Sequence, residues 1–358
     1  MTIDRSQRRA RVRTAVVVAL TAALLWYFFR NVQISQVWRD LRNADLGLIV
    51  ATVIATFVTY VLRTWRWQLL LRPVGRARFG PALRATVIGF TAIFLLPGRV
   101  GEVLRPYLLS REERLNFSAA FATIIVERLL DLSAALLLFG YFVATVDARR
   151  FGPDFHAVTY AGALAAVAAI GALLVLFVCA GHPERLGRWA AALGKLLPKR
   201  LGSAVGRAVQ TFAEGLGVMR QPAPLIGALV LSIPMWLSVA AGIWFCSLAF
   251  DLTFSFSGSF LVVMFLVVGV ALPTPGGIGG FEAMYQVAVT KFFGASNDVA
   301  VAAALVLHAL STIPVSILGV IFMGQMGLTL GGLRSIRASE EIRSEKLEVR
   351  SQKPETWT

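Results

Sequence analysis

The stretch VTYAGALAAVAAIGALLVLFVCA, residues 158–180, holds no charged side chain. About 20 helical residues cross the hydrocarbon core of a bilayer, so this stretch is long enough to span it. Similar apolar runs recur along the 358-residue chain, in which 57% of the residues are hydrophobic and 15% are charged. A soluble domain of this size needs more polar surface to cover its core. The sequence therefore predicts an all-α, polytopic integral membrane protein.

Positive charge is concentrated between the apolar runs and gives the chain a formal charge of +15. Basic loops are typical of the cytoplasmic side of membrane proteins, and they explain this charge without nucleic acid. We therefore expect a multi-pass protein of the inner or plasma membrane with both termini in the cytoplasm. One basic cluster follows the apolar run at 46–62, and we assign it to the cytoplasmic side: Arg63, Arg66, Arg72, Arg76, Arg78 and Arg84.

The apolar and basic segments predict five regions. A basic cytoplasmic N-terminus over residues 1–13 precedes a first transmembrane half over 14–180. A basic connection over 181–222 leads to a second half over 223–332, and residues 333–358 are expected to form a cytoplasmic tail. Apolar residues at helical spacing in the connection favour either an amphipathic helix on the inner leaflet or an ordinary linker helix.

Each half contains apolar segments that are too short to span alone and are interrupted by Pro and Gly, at about 82–110 and 258–292. Charged stretches flank the first segment at both ends, and we assign both stretches to the cytoplasmic side of the membrane. We therefore predict two re-entrant hairpins beside about six full spans. A broken backbone at membrane depth requires surrounding protein or a water-filled cavity. The predicted turn residues are Pro97, Gly98 and Gly101 in the first hairpin and Pro273, Pro275, Gly276, Gly277, Gly279 and Gly280 in the second.

The two halves resemble each other in sequence. Pro97-Gly-Arg-Val-Gly-Glu102 aligns with Pro275-Gly-Gly-Ile-Gly-Gly-Phe-Glu282, and Phe121–Arg128 aligns with Val301–His308, each about 180 residues later. On our side assignment the first hairpin enters from the cytoplasm and the second from outside. The sequence thus predicts an inverted repeat, as in many transporters, with the substrate site between the broken segments.

These motifs resemble the lysylphosphatidylglycerol synthetase transmembrane, or flippase-like, family. The likeness rests on Pro97–Glu102 with Arg105, on Val126-Glu-Arg-Leu-Leu-Asp131 and on Pro275–Glu282, and it covers roughly residues 12–332. In bifunctional members of the family, such a domain flips an aminoacylated phospholipid made by a fused synthase domain. We expect this chain to lack that domain, because it ends a few dozen residues after its last apolar run.

The resemblance therefore implies a stand-alone translocator of a lipid or lipid-linked glycan, without enzymatic activity. The sequence departs from the family at one position. The residue that matches Arg128 in the second half often carries Arg in the family, and here it is His308. A histidine there allows a charge that depends on pH.

Three charged residues, Glu127, Arg128 and Asp131, lie in the middle of a long predicted helix and hence near the bilayer midplane. A lone charge at that depth costs at least ~2.5–3.5 kcal/mol, so these residues require partners or a wet cavity. Either they form a buried network that fixes the fold, or they contact the substrate or a proton. The sequence leaves both possibilities open.

Arg99 and Arg105 follow the first hairpin break, where backbone N–H groups and guanidinium groups could hold a phosphate. Glu102 and Glu282 occupy matched positions and could cap backbone amides, pair with arginines or take protons. His308 is either a core histidine or a ligand. The candidate substrate-binding residues are Arg99, Glu102, Arg105, Glu127, Arg128, Asp131, Glu282 and His308.

The leading functional hypothesis is translocation of an anionic polar lipid, a phospholipid or a lipid-linked glycan, between leaflets. The alternatives are a membrane-embedded lipid-modifying enzyme and a scaffold for a cell-envelope or glycosyltransferase complex that docks on residues 181–222. The expected partners are the membrane, the lipid and a glycosyltransferase or lipid synthase. The two cysteines form no CxxC pair and no cluster of cysteine and histidine residues, so the sequence predicts no metal site and no cofactor.

Overall fold

The computed structural model describes residues 34–96, 99–182, 184–186, 188, 209–272 and 274–326. These residues form helices and turns without a strand, which confirms the predicted all-α membrane bundle. Their α-helices are α1 Ile34–Asn43, α2 Leu46–Leu71, α3 Phe79–Leu95, α4 Gly101–Glu113, α5 Phe117–Thr145, α6 Pro153–Ala180, α7 Pro222–Ala249, α8 Gly258–Ala271, α9 Gly280–Phe293 and α10 Asn297–Gln325. Short 3₁₀ helices occur at Ala148–Phe151, Leu216–Arg220 and Pro275–Gly277.

Several predictions fall outside the described residues. These are the basic N-terminus at 1–13 and the start of the first transmembrane half, the predicted tail at 333–358, the turn residues Pro97, Gly98 and Pro273, and most of the basic connection. The end of that connection is described: residues 209–215 are helical, and Leu216 and Val218 in the following 3₁₀ helix are buried among helices. This part of the connection therefore packs onto the bundle.

Five of the helices, α2, α5, α6, α7 and α10, have 26 to 29 residues. At 1.5 Å per residue each is roughly 40 Å long, enough to cross a hydrocarbon core of about 30 Å. Four of them are also apolar enough to be candidate spans. The fifth, α5, has the required length but carries Glu127, Arg128 and Asp131 along its middle.

Local sequence signals set the ends of the long helices. The side chains of Asp45 and Asn116 accept hydrogen bonds from backbone N–H groups three residues later, at 3.0 and 3.2 Å, and so cap α2 and α5. Pro153 and Pro222 begin α6 and α7, where the missing proline N–H leaves no helical hydrogen bond unmade.

The two predicted hairpins are present as α3–α4 and α8–α9, each with helices of 13 to 17 residues. The paired helices approach each other through glycines. A Cβ at Gly101 would lie 1.8 Å from the carbonyl oxygen of Gly89, and a Cβ at Gly280 would lie 2.4 Å from that of Gly269. Real Cβ atoms do not come so close to a carbonyl, so only glycine permits this packing.

Helices α2 and α7, which occupy equivalent positions in the two halves, pack side by side and antiparallel. The N–H of Asp45 before α2 donates to the carbonyl of Ala249 at the end of α7, at 3.1 Å. Arg66 near the end of α2 donates to Ser232 in the first half of α7, at 3.0 Å. Equivalent helices that run in opposite directions are the geometry expected of an inverted repeat.

Other helix contacts also join a helix of one half to a helix of the other half. Helix α3 packs on α10, and its counterpart α8 packs on α5. Helix α2 packs on α10, and α7 packs on α5. The contacts of the described helices thus agree with the predicted inverted repeat, in which each hairpin packs against a long helix of the other half.

The C-terminal boundary predicted for the apolar run at 46–62 is wrong. Helix α2 does not stop at Leu62 but continues to Leu71. Arg63 and Arg66 therefore lie inside the helix, with 8% and 0% of their surface exposed, rather than in a cytoplasmic loop. Their charge suggested the end of the apolar run, but carboxylates on α5 neutralise it within the bundle.

Candidate functional site

The described residues of the first half contain a cluster of ion pairs between α2, α4 and α5. Its members are Arg63, Arg66, Arg105, Arg128, Glu102, Glu127 and Asp131, and we call it the ion cluster. Four arginines face three carboxylates, so the cluster carries one excess positive charge when every member is ionised. Five of its members are predicted site residues, and the other two, Arg63 and Arg66, were assigned to the cytoplasmic side.

Glu127 is the most buried carboxylate of the cluster, with no exposed surface. Its Oε1 accepts a hydrogen bond from Nη1 of Arg105 at 2.7 Å. The same oxygen lies 3.5 Å from Nη2 of Arg66 and 3.6 Å from Nη1 of Arg63. A single carboxylate thus stabilises guanidinium groups from two other helices.

Asp131 lies one turn after Glu127 on the same face of α5. Its Oδ1 lies 2.7 Å from Nη1 of Arg66 and accepts a hydrogen bond from the indole N–H of Trp236 at 3.1 Å. Its Oδ2 accepts from Nη1 of Arg63 at 3.2 Å. Because Trp236 belongs to α7, Asp131 ties the second half of the chain to the ion cluster.

Aromatic rings cover the arginines of the cluster. The guanidinium carbon of Arg105 lies 3.9 Å from the ring centroid of Trp67. Those of Arg63 and Arg128 lie 4.9 and 5.8 Å from the ring of Phe90. Cation–π contacts of this kind are stronger where the cation is shielded from water, so the rings help to hold unsolvated charge at this depth.

Several polar atoms of the cluster are buried yet form no hydrogen bond within the described part of the protein. They are Nε and Nη2 of both Arg66 and Arg105, Nε of Arg128, and Oε2 of Glu127. Buried polar groups are nearly always hydrogen-bonded in native proteins. These N–H groups are therefore suited to donate to the oxygen atoms of a bound anion or of water.

The cluster opens at its α4 edge. Glu102 lies 3.6 Å from Nε of Arg128 and 3.8 Å from Nη1 of Arg99, and these side chains are 29%, 36% and 46% exposed. Arg99 adopts a left-handed backbone conformation with φ 54°, and its guanidinium contacts the carbonyl of Val270 in the second hairpin. Arg99 thus bridges the two hairpins at the edge of the ion cluster.

The second half places Glu282 and His308 together. Nδ1 of His308 lies 2.5 Å from Oε1 of Glu282, and Nε2 lies 3.1 Å from the carbonyl oxygen of Gly276. The other carboxylate oxygen, Oε2, accepts from the N–H of Gly279 at 2.7 Å. The imidazole also stacks on Phe281, with ring centroids 4.5 Å apart. The pair therefore fastens the turn of the second hairpin to α10.

The backbone of that turn explains its glycines. Gly276, Gly277 and Gly279 have φ values of 63°, 77° and 84°, which other residues rarely adopt. Pro275 begins the 3₁₀ helix at the turn, and Gly280 begins α9. In the first hairpin, Gly101 occupies the corresponding position at the start of α4.

The two pairs Glu102–Arg128 and Glu282–His308 occupy equivalent places. Each joins the second helix of a hairpin to the long helix that follows it. The carboxylates of Glu127 and Asp131 have no acidic equivalent, because Leu307 and Ser311 stand one residue before and three residues after His308. The ion cluster is thus a feature of the first half only, among the described residues.

Arg63 and Arg66 are the cluster members that the sequence analysis did not select. The signal that could have found them is the sequence after them, Trp67-Gln-Leu-Leu-Leu71, which resumes the apolar run. Their spacing of three residues also places them on one helix face, as for Glu127 and Asp131. Among the described residues, no group of three or more His, Cys, Asp or Glu side chains is arranged to hold a metal ion.

A sequence model described as the lysylphosphatidylglycerol synthase TM region matches residues 14–319. The chain belongs to this family. The matched region contains the ion cluster, both hairpins and the Glu282–His308 pair. Membership of this family and the long apolar helices together identify a multi-pass membrane protein.

Individual relatives of this family member are distant. Glycosyltransferase AglD of Haloferax volcanii is 25% identical over 380 aligned positions, which cover 98% of this chain and 59% of that protein. A UPF0104 membrane protein of Methanothermobacter thermautotrophicus is 25% identical over 321 positions, covering 85% of this chain and 91% of that protein. The UPF0104 membrane protein MJ1595 of Methanocaldococcus jannaschii is 24% identical over 140 positions, or 37% of this chain and 42% of that protein. The chain therefore spans about three fifths of the glycosyltransferase's length.

Proposed function

We propose that this family member binds an anionic polar lipid at the ion cluster and translocates it between leaflets. The observation that carries the proposal is the set of buried guanidinium N–H groups on Arg66 and Arg105 that donate no hydrogen bond among the described residues. They lie beside a broken hairpin, in a bundle built as an inverted repeat. Arginine is suited to this role because its planar, permanently charged group donates to two phosphate oxygens at once.

The charge of the site favours an anion over a cation or a neutral ligand. The ion cluster has one excess positive charge, and Arg99 at its open edge adds another. A phosphate group would balance this charge, whereas a cation would add to it. In this proposal Arg99 and Arg105 bind the phosphate, while Glu127, Arg128 and His308 line the polar path across the bundle.

Translocation can be tested in vesicles that contain the purified protein and fluorescent phosphatidylglycerol. A membrane-impermeant quencher reports how quickly the lipid leaves the inner leaflet. We expect Arg99→Gln and Arg105→Gln to abolish the protein-dependent rate and Arg111→Gln, on the exposed end of α4, to retain it. Full activity in both of the first two variants would refute the proposed site.

The competing explanation is that the ion cluster only fixes the fold. Arg105→Lys separates the two possibilities, since lysine keeps the positive charge near Glu127 but loses the planar set of donors. We expect this variant to fold with near-normal thermal stability and to translocate slowly. Normal translocation by Arg105→Lys would favour a structural role.

The relative named as a glycosyltransferase favours a lipid-linked glycan as the specific substrate. Because that relative is itself named as a glycosyltransferase, we infer that this family member works with a glycosyltransferase or a lipid synthase. The vesicle assay distinguishes the lipid classes when an unlabelled competitor is added and the translocation rate of fluorescent phosphatidylglycerol is measured. The competitor is either an isoprenoid phosphate-linked sugar or unlabelled phosphatidylglycerol. Stronger inhibition by the isoprenoid lipid than by unlabelled phosphatidylglycerol would support the glycan-linked substrate.

We also infer that both hairpins are re-entrant and that both termini are cytoplasmic. The short lengths of α3, α4, α8 and α9 support the hairpins, and the basic connection supports the orientation. Single cysteines at Arg99 and Gly277, in a background without Cys179 and Cys246, test the topology. Labelling of both positions from the same side by an impermeant maleimide would contradict opposite entry of the two hairpins.

A further inference from the structure

A second positively charged feature lies apart from the ion cluster, where α2 ends. It is a cavity of about 890 Å³ between the last turns of α2, the connection to α3, and α7. Arg72, Arg76 and Arg78 line it, together with Trp65, Leu69 and Leu231. We define it as the basic cavity.

The arginines of the basic cavity differ in their partners. Arg78 pairs with Glu113 at 3.1 Å, and Arg84 in the next helix pairs with Glu112. Arg72 and Arg76 are exposed, and neither has a carboxylate within 4 Å in the described part of the chain. The two carboxylates at the end of α4 are thus used by other arginines, and the cavity keeps two uncompensated positive charges.

The rest of the wall is apolar and aromatic. Leu69 and Leu231 are aliphatic parts of the lining, and Trp65 is 49% exposed beside Phe79, with ring centroids 5.9 Å apart. Tryptophan side chains are enriched at the boundary between lipid and water. A hydrogen bond of 2.7 Å from Gln68 to the carbonyl of Ala77 ties the connection to α2 and so fixes the shape of the cavity.

We propose that the basic cavity binds the headgroup of an anionic phospholipid, with Arg72 and Arg76 as phosphate ligands. The volume exceeds the needs of a lone phosphate, and the combination of guanidinium groups with an aliphatic wall matches an amphiphile. Juxtamembrane basic residues attract anionic lipid by about fivefold in affinity for each Lys or Arg. The site is separate from the ion cluster, so the proposal does not depend on translocation.

Native mass spectrometry of the full chain in detergent tests this proposal, with equal amounts of phosphatidylglycerol and phosphatidylcholine added. We expect the double variant Arg72→Gln with Arg76→Gln to bind phosphatidylglycerol roughly 25-fold more weakly, the product of about fivefold for each arginine. The matched control is Arg111→Gln with Arg114→Gln, which removes the same charge outside the cavity. At 0.15 M salt, we expect the control to stay within about threefold of the parent, because neither of its arginines lines the cavity and salt screens charges that act only at a distance.

Three results would overturn the proposal: an equal loss in the control variant, no loss in the cavity variant, or displacement of the lipid by equimolar glycerol 3-phosphate. The last would identify a soluble phosphate compound as the ligand. The measurement reports binding alone, so a failure here is distinguishable from a failure of the vesicle assay.

Discussion

Replacing Glu127 by Gln should destabilise the protein through one specific partner. Oε1 of Glu127 lies within 3.6 Å of three guanidinium groups. Asp131 would still neutralise Arg63 and Arg66, at 3.2 and 2.7 Å, but Arg105 would keep no carboxylate among the described residues. Removing one member of a buried ion pair costs about 3–5 kcal/mol, and the survival of Asp131 places the expected loss near ~3 kcal/mol.

The prediction is measured as a double-mutant cycle with Arg105→Gln, by unfolding the purified protein in mixed micelles with increasing SDS. Glu127→Gln leaves Arg105 without a carboxylate, and Arg105→Gln removes the partner of Glu127 at 2.7 Å, whereas the double variant has neither defect. We therefore expect a coupling free energy of about 2–3 kcal/mol between the two positions. Glu112→Gln is the matched control, because its pair with Arg84 is partly exposed and should be worth at most ~1 kcal/mol. Additive losses, or a loss at Glu127 no larger than at Glu112, would refute this account of the cluster.

Three further perturbations test other contacts. Gly101→Ala should force α3 and α4 apart and lower the free energy of unfolding by about 1–3 kcal/mol or more. The control Gly140→Ala has open space around it, so it should be neutral or stabilising in the same SDS titration. His308→Phe keeps a ring beside Phe281 but removes a hydrogen-bond partner of Glu282. Amide hydrogen exchange at the second hairpin turn should therefore accelerate by about tenfold or more. Unchanged exchange would show that the Glu282–His308 pair does not hold the turn. Trp236→Phe removes the hydrogen bond to Asp131 and should cost about 1.5–3 kcal/mol, and an effect below that of Trp244→Phe would contradict a role for α7 in the cluster.

Hydropathy and turn residues predicted most of the architecture because bilayer physics restricts the choices. A charge-free stretch such as 158–180 has no other stable solution than a spanning helix, and α6 contains it. The hairpins followed from glycines that later proved to lie at helix contacts and in left-handed backbone, as at Gly101 and Gly277. These signals are local, so a single sequence contains them.

The partners of the charged residues depended on packing between distant segments. Repeat alignment matched Arg128 with His308, and the structure gives both a glutamate neighbour from the equivalent helix. The apolar run that resumes after Arg66 indicates that Arg63 and Arg66 lie inside a helix, but nothing local indicates that they face α5. Their burial follows only once α2 and α5 are brought together and their charges are compensated.

The confinement of the ion cluster to one half has an energetic consequence. Two identical inverted halves could exchange conformations and generate inward-open and outward-open forms of equal free energy. Here one half carries four arginines and three carboxylates, while the matching region of the other has Leu307 and Ser311 in place of its two buried acids. If the two halves exchanged conformations, the charged groups of the first half would move in one direction. The uncharged groups at the matching positions of the second half would move in the other direction. Under the proposed translocation, the two forms would therefore differ in free energy, and the resting protein would favour one face of the membrane even without a substrate or an ion gradient.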